Sequence, residues 1–489
     1  MISQSFPTKP KNLSEILLRA KPVWPVFYVI SVAVLIIQSF SHWVFDDPFI
    51  TYRYAINVAK GYGFVYNPGE RVLGTTTPLF TLVLAISHLL GFKPHPTAIY
   101  LGAISLGLGA YFIWRISQSF NTSWVGWTGL FLYPTFPLLL TTLGSEIPLY
   151  LALSLGSFAS FYERRWKLTA LLSALVCLTR PDGLIVPAIL LAQSVFEKRS
   201  IPWKASLIFI SIVGSWLAFA WIYFGSPIPV SLFAKQAQGT LSVSQSFVDG
   251  FLTLAQSYAG KWHWQLKTIF ASAGFVIITL RHPRWLPLLA WPILHFLSYT
   301  LLGVSSYFWY YAPLVPGYLV CLGVGLQILE TKTAAYTSKR IPGIVSALFL
   351  IVFLAAQVYS FLNLRQQEDE RFSIYRAAGQ WIQNNTPVNA TLGALEVGYI
   401  GYFSRRAVIN FAGLLQPEIA HYMLQQESYE DGAIFATQRF KPDYLILHEN
   451  FFPNLESILS QFGCEIVRFL DGDQYDYQGS LVIYHCLYP

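Results

Sequence analysis

The chain has 489 residues, of which 54% are hydrophobic and only 12% charged, with a formal charge of +7. A soluble globular chain carries about twice that charged fraction, so the composition excludes a string of soluble domains. The basic surplus sits in short clusters between apolar runs, which sets orientation in a membrane and does not read as nucleic-acid binding.

Residues 1–21 are too polar for a cleaved signal peptide, so the first apolar run is read as an uncleaved anchor. About 20 apolar residues cross a bilayer as helix. Candidate spans are 23–42, 97–115, 123–142, 147–162, 167–179, 183–196, 204–224, 265–280, 285–302, 309–329 and 341–361. One further apolar run, 76–91, is assigned by charge. The basic clusters are Lys9/Lys11/Arg19/Lys21, Arg164/Arg165/Lys167, Lys198/Arg199/Lys204, Arg281/Arg284 and Lys332/Lys339/Arg340. All fall on the N-terminal side only if 76–91 does not cross. Cytoplasmic loops are the basic ones, so 76–91 is read as an interfacial helix, started by Thr77-Pro78. The expectation is about eleven spans, N-terminus inside and C-terminus outside, with 43–96 forming one long outer loop. No repeat marks an inverted-repeat transporter.

Residues 363–489 have a different texture. Helix-like patterns at 371–384, 416–426, 430–439 and 453–462 alternate with strand-like runs at 390–396, 443–448, 465–470 and 480–486. This predicts a soluble α/β domain outside the membrane, after a transmembrane module over 1–362. Cys464 and Cys486 are equidistant from residue 475 in the turn-rich DGDQYDYQG, so a hairpin would bring them face to face. An oxidising compartment permits a disulfide there; two free thiols are the alternative. Cys177 and Cys321 lie in apolar runs and read as packing residues.

The first outer loop opens with Phe45-Asp46-Asp47-Pro48. Asp47 before Pro48 reads as the N-cap of a helix, which leaves Asp46 as a candidate general base. In that helix Ile50, Tyr54 and Val58 share one face and Arg53, Asn57 and Lys60 another, as in a helix lying along the interface. Glu146 falls at the outer end of a span, as a hydroxyl ligand or as plain helix-start polarity. Arg180 in LTRPDG can meet a lipid phosphate or pair locally with Asp182. Lys235 follows a Pro-rich turn. Tyr307, Trp309, Tyr310 and Tyr311 in SSYFWYYAP can stack on substrate or form an ordinary aromatic belt. Glu396, Tyr402, Arg405 and Arg406 are candidates facing the membrane cavity, against a reading as solvated surface. No cofactor is required; a divalent metal would find its ligands in Asp46, Asp47 and Glu146.

The segment DDPFITYRYAINVAKGYGFVYNPGERVLGTTTPL resembles the first outer loop of bacterial GT-C fold, polyprenyl-phosphate-sugar-dependent glycosyltransferases. GSEIPLY, LTRPDG, GSPIPVSLFAK, WYYAPLVP and GYIGYFSRRAVINFAGLL follow in the order of that group. The pattern is most similar to membrane arabinofuranosyltransferase-like enzymes, and more distantly to protein mannosyltransferases and lipid A aminoarabinose transferases. The resemblance implies a GT-C fold with interfacial helices and a base at Asp46, with Asp47 beside it. It implies a polyprenyl-phosphate-linked sugar donor and a glycan, lipid or protein acceptor. Asn410 stands where such proteins often have Asp, which puts an acidic role there in doubt. Arg53, Arg180 and Lys235 are then the candidates for the leaving phosphate, with inversion at the anomeric centre. Two other classes fit the spans: a transporter or flippase, and a non-catalytic envelope scaffold. The first is disfavoured because the ionisable candidates cluster on one side.

Overall fold

The computed structural model describes residues 23–197, 203–334 and 341–488. The basic residues 9, 11, 19, 21, 198, 199, 339 and 340 lie outside them. In chain order the helices are α1 (Trp24–Phe40), α2 (Pro48–Ala59), α3 (Pro78–Leu89), α4 (Pro94–Phe120), α5 (Ser123–Leu132), α6 (Pro137–Leu140), α7 (Ile147–Tyr162), α8 (Trp166–Thr179) and α9 (Ile185–Phe196). They continue with α10 (Trp203–Phe224), α11 (Val230–Thr240), α12 (Phe247–Ala259), α13 (Trp262–Arg281), α14 (Leu286–Leu302), α15 (Leu314–Ala334) and α16 (Ile341–Leu364).

Five helical stretches among the described residues are long and apolar enough to cross a membrane: Pro94–Phe120, Trp203–Phe224, Pro283–Leu302, Phe308–Ala334 and Gly343–Leu364. Shorter apolar helices fill 23–42, 147–162, 167–179 and 183–196, the 20-residue α13 covers 265–280, and the expected helix over 123–142 is broken. Pro134 and Pro137 stop α5 and restart the chain as α6, because proline removes a helical donor and clashes with the preceding turn. Helix α4 packs on α1, α5 and α7, and α13 packs on α15. The α13–α15 crossing is tight: a Cβ at Gly274 would overlap the Cys321 carbonyl, the close approach that small residues permit between helices.

Several of the clustered basic residues lie at the far ends of helices whose other ends reach the first loop or the cavity described below. Arg164 and Arg165 follow α7, Arg284 precedes α14, Lys332 is in the last turn of α15, and Lys204 is in the first turn of α10.

The last part continues with α17 (Arg371–Asn385), β1 (Thr391–Ala394), α18 (Tyr399–Ser404), β2 (Ala407–Asn410), α19 (Pro417–Met423), α20 (Tyr429–Phe440), β3 (Tyr444–His448), α21 (Pro453–Ile458), β4 (Cys464–Leu470) and β5 (Leu481–Cys486). The sheet order is β2-β1-β3-β5-β4, parallel among the first three and antiparallel beyond. Every predicted strand and helix here is present. The sequence reading missed α18 and β2, each too short to show periodicity. Cys464 pairs with Cys486 in register, and the two form a disulfide.

Strand β2 is an edge, and its outward backbone groups are covered. The Asn67 side chain accepts from Val408 N–H at 2.9 Å and donates to Val408 O at 2.9 Å. Gln416 accepts from Asn410 N–H and also donates to Val408 O. An edge closed in this way resists pairing with another strand.

Candidate active site

A cavity of about 430 Å³ opens where the first loop meets the ends of the bundle helices. Its polar lining is Asp47, Thr51, Thr75, Thr76, Thr77, Ser145, Glu146, Arg180, Asp182, Ser231, Lys235, Ser298, Tyr299 and Tyr310. Ile50, Leu184, Ile185, Leu232, Leu302 and Trp309 supply apolar wall, and Leu414 comes from the segment after β2. Leu184 and Leu302 are exposed on the outer surface of the bundle.

Arg180 is built into the wall. It caps the end of α8 in extended conformation, followed by the short 3-10 turn Pro181–Leu184. Its Nε donates to Asp182 Oδ1 at 2.9 Å, Nη1 to Glu146 Oε1 at 2.6 Å, and Nη2 to the Tyr299 hydroxyl at 2.5 Å. The guanidinium also lies 5.7 Å from the ring centres of Tyr150 and Tyr310. Burial pushes the Asp182 carboxyl up, but Arg180 and His295 outweigh it and hold it at about 2. Burial wins at Glu146, raising its pKa against Arg180 and its own backbone N–H, with the charge of Asp47 adding to the rise.

Lys235 projects from α11, its ammonium 3.6 Å from the Tyr307 ring centre and 3.9 Å from Asp47 Oδ2. Burial lowers its pKa, and Asp47 and Tyr307 more than reverse that. Asp47 is the carboxylate with the most open side chain here, 36% exposed against 13% for Glu146 and 9% for Asp182. Thr51, Thr75 and Thr77 share hydroxyl contacts of 3.1–3.4 Å. The buried Ser231 hydroxyl has no partner among the described residues.

The two adjacent aspartates are divided, in the opposite sense to the expectation. Asp47 occupies the N-cap position of α2, but its side chain makes no capping bond and faces the cavity. Asp46 is buried and turned away: it accepts Gly398 N–H at 3.1 Å and Tyr399 N–H at 2.7 Å. Burial raises its pKa to about 7, against the backbone hydrogen bond from Tyr399 and the charge of Arg371.

Asp46 belongs to a row of loop side chains that grip the backbone of 397–408. Tyr66 donates its hydroxyl to Val397 O, Arg53 donates to the carbonyls of Gly401, Arg406 and Tyr66, and Asn67 binds Val408. A Cβ at Gly398 would overlap Asp46, and one at Gly401 would overlap the Tyr66 hydroxyl. Arg53 is therefore spent on carbonyls and does not reach the cavity. The expected solvated face of α2 is instead buried: Asn57 donates to Val65 O and Tyr66 O. The Thr77 hydroxyl joins the threonine contacts in place of capping α3.

The remaining candidates scatter. Tyr310 lines the cavity, but Tyr311 is buried with its hydroxyl on Phe247 O. Glu396 lies outside the lining, 3.3 Å from His448 Nε2. Arg405 is exposed with φ 53 at the end of α18, and Arg406 is buried on Gln383 O and Thr386 O. Tyr402 packs edge-on to Phe49. Asn410 is structural: its amide donates to Leu395 O and its oxygen accepts Leu414 N–H, a pair of roles an aspartate cannot fill. Asp46, Asp47 and Glu146 do not converge as a metal set; among the described residues no group of three His, Cys, Asp or Glu does. His295 and Tyr299 on α14 were not singled out from the sequence. A lone histidine in an apolar run reads as packing, and only its neighbours in space show otherwise.

Solved structures share this architecture. ArnT from Cupriavidus metallidurans in the apo state superposes with a TM-score of 0.61 at 12% identity, over 95% of this chain and 98% of that one. The same protein bound to undecaprenyl phosphate gives 0.56 at 14%, over 94% and 98%. The archaeal oligosaccharyltransferase AglB from Archaeoglobus fulgidus, in complex with an inhibitory peptide and a dolichol-phosphate, gives 0.58 at 13%, over 87% and 69%. These structures belong to the GT-C superfamily, and the chain has the GT-C fold. A family model described as a domain of unknown function, DUF8728, matches residues 362–484. No curated protein matches the sequence.

Proposed function

We propose that this GT-C chain is an inverting glycosyltransferase with Asp47 as its general base. Its donor is a sugar on polyprenyl phosphate, and its acceptor a hydroxyl of a cell-envelope glycan, lipid or protein. The observation that carries this is one cavity holding a carboxylate and an ammonium 3.9 Å apart, beside a braced guanidinium and a wall that turns apolar toward the lipid-facing surface. The undecaprenyl phosphate and dolichol-phosphate bound to the fold neighbours support a donor of that class.

In the reaction the acceptor oxygen attacks the anomeric carbon. The bond from that carbon to the phosphate oxygen breaks, and polyprenyl phosphate leaves. Asp47 takes the acceptor's proton. Lys235 and Arg180 face the phosphate as its charge develops, where fixed charges in a dry site act most strongly. Thr51, Thr75, Thr76, Thr77 and Ser231 offer hydroxyls to the sugar. No metal enters these steps.

The topology proposed from charge, with the cavity and residues 363–489 outside the cytoplasmic membrane, is supported by the grip of the first loop on 397–408, which needs both on one side. The test is purified enzyme in lipid nanodiscs with polyprenyl-phosphate-linked pentoses and hexoses. Release of polyprenyl phosphate with sugar transfer is expected. Failure with every lipid-linked donor overturns the reading.

A further inference from the structure

Helix α14 carries two polar groups into an apolar bundle, His295 and Tyr299, one helical turn apart on one face. His295 is fully buried. A buried ionisable side chain at membrane depth is costly and persists where it has partners and a task. Its Nε2 is 2.8 Å from Tyr310 O, and its Nδ1 is 3.1 Å from Asp182 Oδ2. The first contact is a hydrogen bond, and the second places the Asp182 carboxylate against the ring edge. Asp182 in turn holds Arg180 Nε, and Tyr299 holds Arg180 Nη2. A single helix face thus ties together three cavity walls: the 181–184 turn, α14 itself, and the segment carrying Tyr310.

Consider Arg180 without this brace. The turn that carries it is one short 3-10 segment, and its other acidic partner, Glu146, lies on a different element. Asp182 would keep its bond to Nε, but its second oxygen would lose His295 and the carboxylate would be free to rotate. The guanidinium would then follow Asp182 or Glu146 and leave the cavity axis. With the brace, three of its N–H groups are engaged by Asp182, Glu146 and Tyr299. The remaining guanidinium hydrogens are left for an anionic ligand.

We propose that His295 is a positioning residue: through Asp182 and the Tyr310 carbonyl it fixes Arg180 in the orientation that meets the leaving phosphate. It touches no substrate itself. The functional half of this inference rests on the transferase reading; the geometric half does not.

Two measurements separate them. The first is hydrogen exchange of the full-length protein in nanodiscs, without ligand. His295→Gln removes the ring that spans Asp182 and the Tyr310 carbonyl, and should raise exchange of the amides of 180–184 at least ~10-fold, with the ends of α4 and α7 unchanged. Tyr299→Phe should give a smaller rise in the same segment. Unchanged exchange at 180–184 overturns the inference whatever the enzyme does. The second is turnover with a polyprenyl-phosphate sugar. A misplaced catalytic group costs up to ~10²-fold in rate, so kcat of His295→Gln should fall at least ~10-fold while the donor KM changes less than ~3-fold. Loss of folded protein alone would leave kcat per folded molecule intact, and that result overturns the functional half. If the wild type transfers nothing, the transferase reading fails and the exchange data still judge the brace.

Discussion

Two faces of the loop over 43–96 use the same kinds of side chain to different ends. On the face toward 397–408, Asp46, Arg53, Tyr66 and Asn67 place their polar atoms on backbone N–H and C=O groups. That face is saturated, and two glycines make room for it. On the cavity face, Asp47 has one distant cation, the threonines have mainly each other, and Ser231 opposite has no partner among the described residues. Buried polar groups are nearly always satisfied in folded chains, so the unsatisfied face is the one built to receive something. The comparison separates docking from chemistry within two consecutive residues.

The largest expected effect tests that separation. Asp47→Asn should lower transfer by about 10³-fold, within the range of a lost general base, with little change in melting temperature. Asp46→Asn should do the reverse. Its NH2 would face a backbone N–H where one of the two carboxylate oxygens accepts it, so melting falls while transfer drops by no more than ~10-fold. If Asp46→Asn abolishes transfer at unchanged stability and Asp47→Asn does not, the two faces have been read the wrong way round. Next in size is Lys235→Ala, which removes the ammonium beside Asp47. It should cost about 10²-fold in kcat, the usual loss for one group that stabilises developing charge. Arg53→Ala, on the docking face, should cost stability instead, and a kcat loss as large as that of Lys235→Ala would return Arg53 to the site.

Gly398→Ala ranks third. The added methyl meets the Asp46 carbonyl and carboxylate, and overpacking of that kind costs about 1–3 kcal/mol. The docking of 397–408 should loosen, read as faster proteolysis between 364 and 410 and a lower melting temperature, with a modest loss of transfer. Unchanged proteolysis would mean that the loop does not hold this segment.

Much of this was legible in the sequence, for physical reasons that differ by region. A charge in an apolar chain stands out, so Asp47, Glu146, Arg180 and Lys235 were singled out, and the Arg180–Asp182 pair with them, although the contacts of Arg180 with Glu146 and of Lys235 with Asp47 were not. The strands after 440 are short runs set between turn residues, and of the two readings left open for Cys464 and Cys486, symmetric about residue 475, the structure has the disulfide. The division of Asp46 from Asp47 was not legible, because successive residues entering a helix point about 100° apart and only the fold says which direction is cavity. Arg53 misled for the opposite reason. Its helical spacing looked like a solvated face, and no local signal shows that carbonyls of 401 and 406 will cover it. His295 and Tyr299 carry meaning only through Asp182 and Arg180, which lie more than a hundred residues earlier in the chain.

The prediction with the smallest effect on turnover concerns the proton on Asp46. Burial lifts its pKa to about 7 in the folded protein, from an ordinary carboxyl value of 3.8. A group raised on folding binds more protons folded than unfolded, so stability falls as pH rises across that interval. The contribution of Asp46 is thus fully present below about pH 4 and lost as pH passes through about 7. Melting temperature of the wild type should therefore decline from pH 4.5 to 7.5 relative to Asp46→Asn, which has no titrating group there. The difference between the two curves isolates Asp46, because Asp369, Glu396 and the other nearby carboxyls are common to both. Parallel curves would show that its carboxylate is ionised throughout and as well solvated as on an open surface. The docking face would then be wetter than its hydrogen bonds imply, and its contrast with the cavity face would shrink to one of geometry alone.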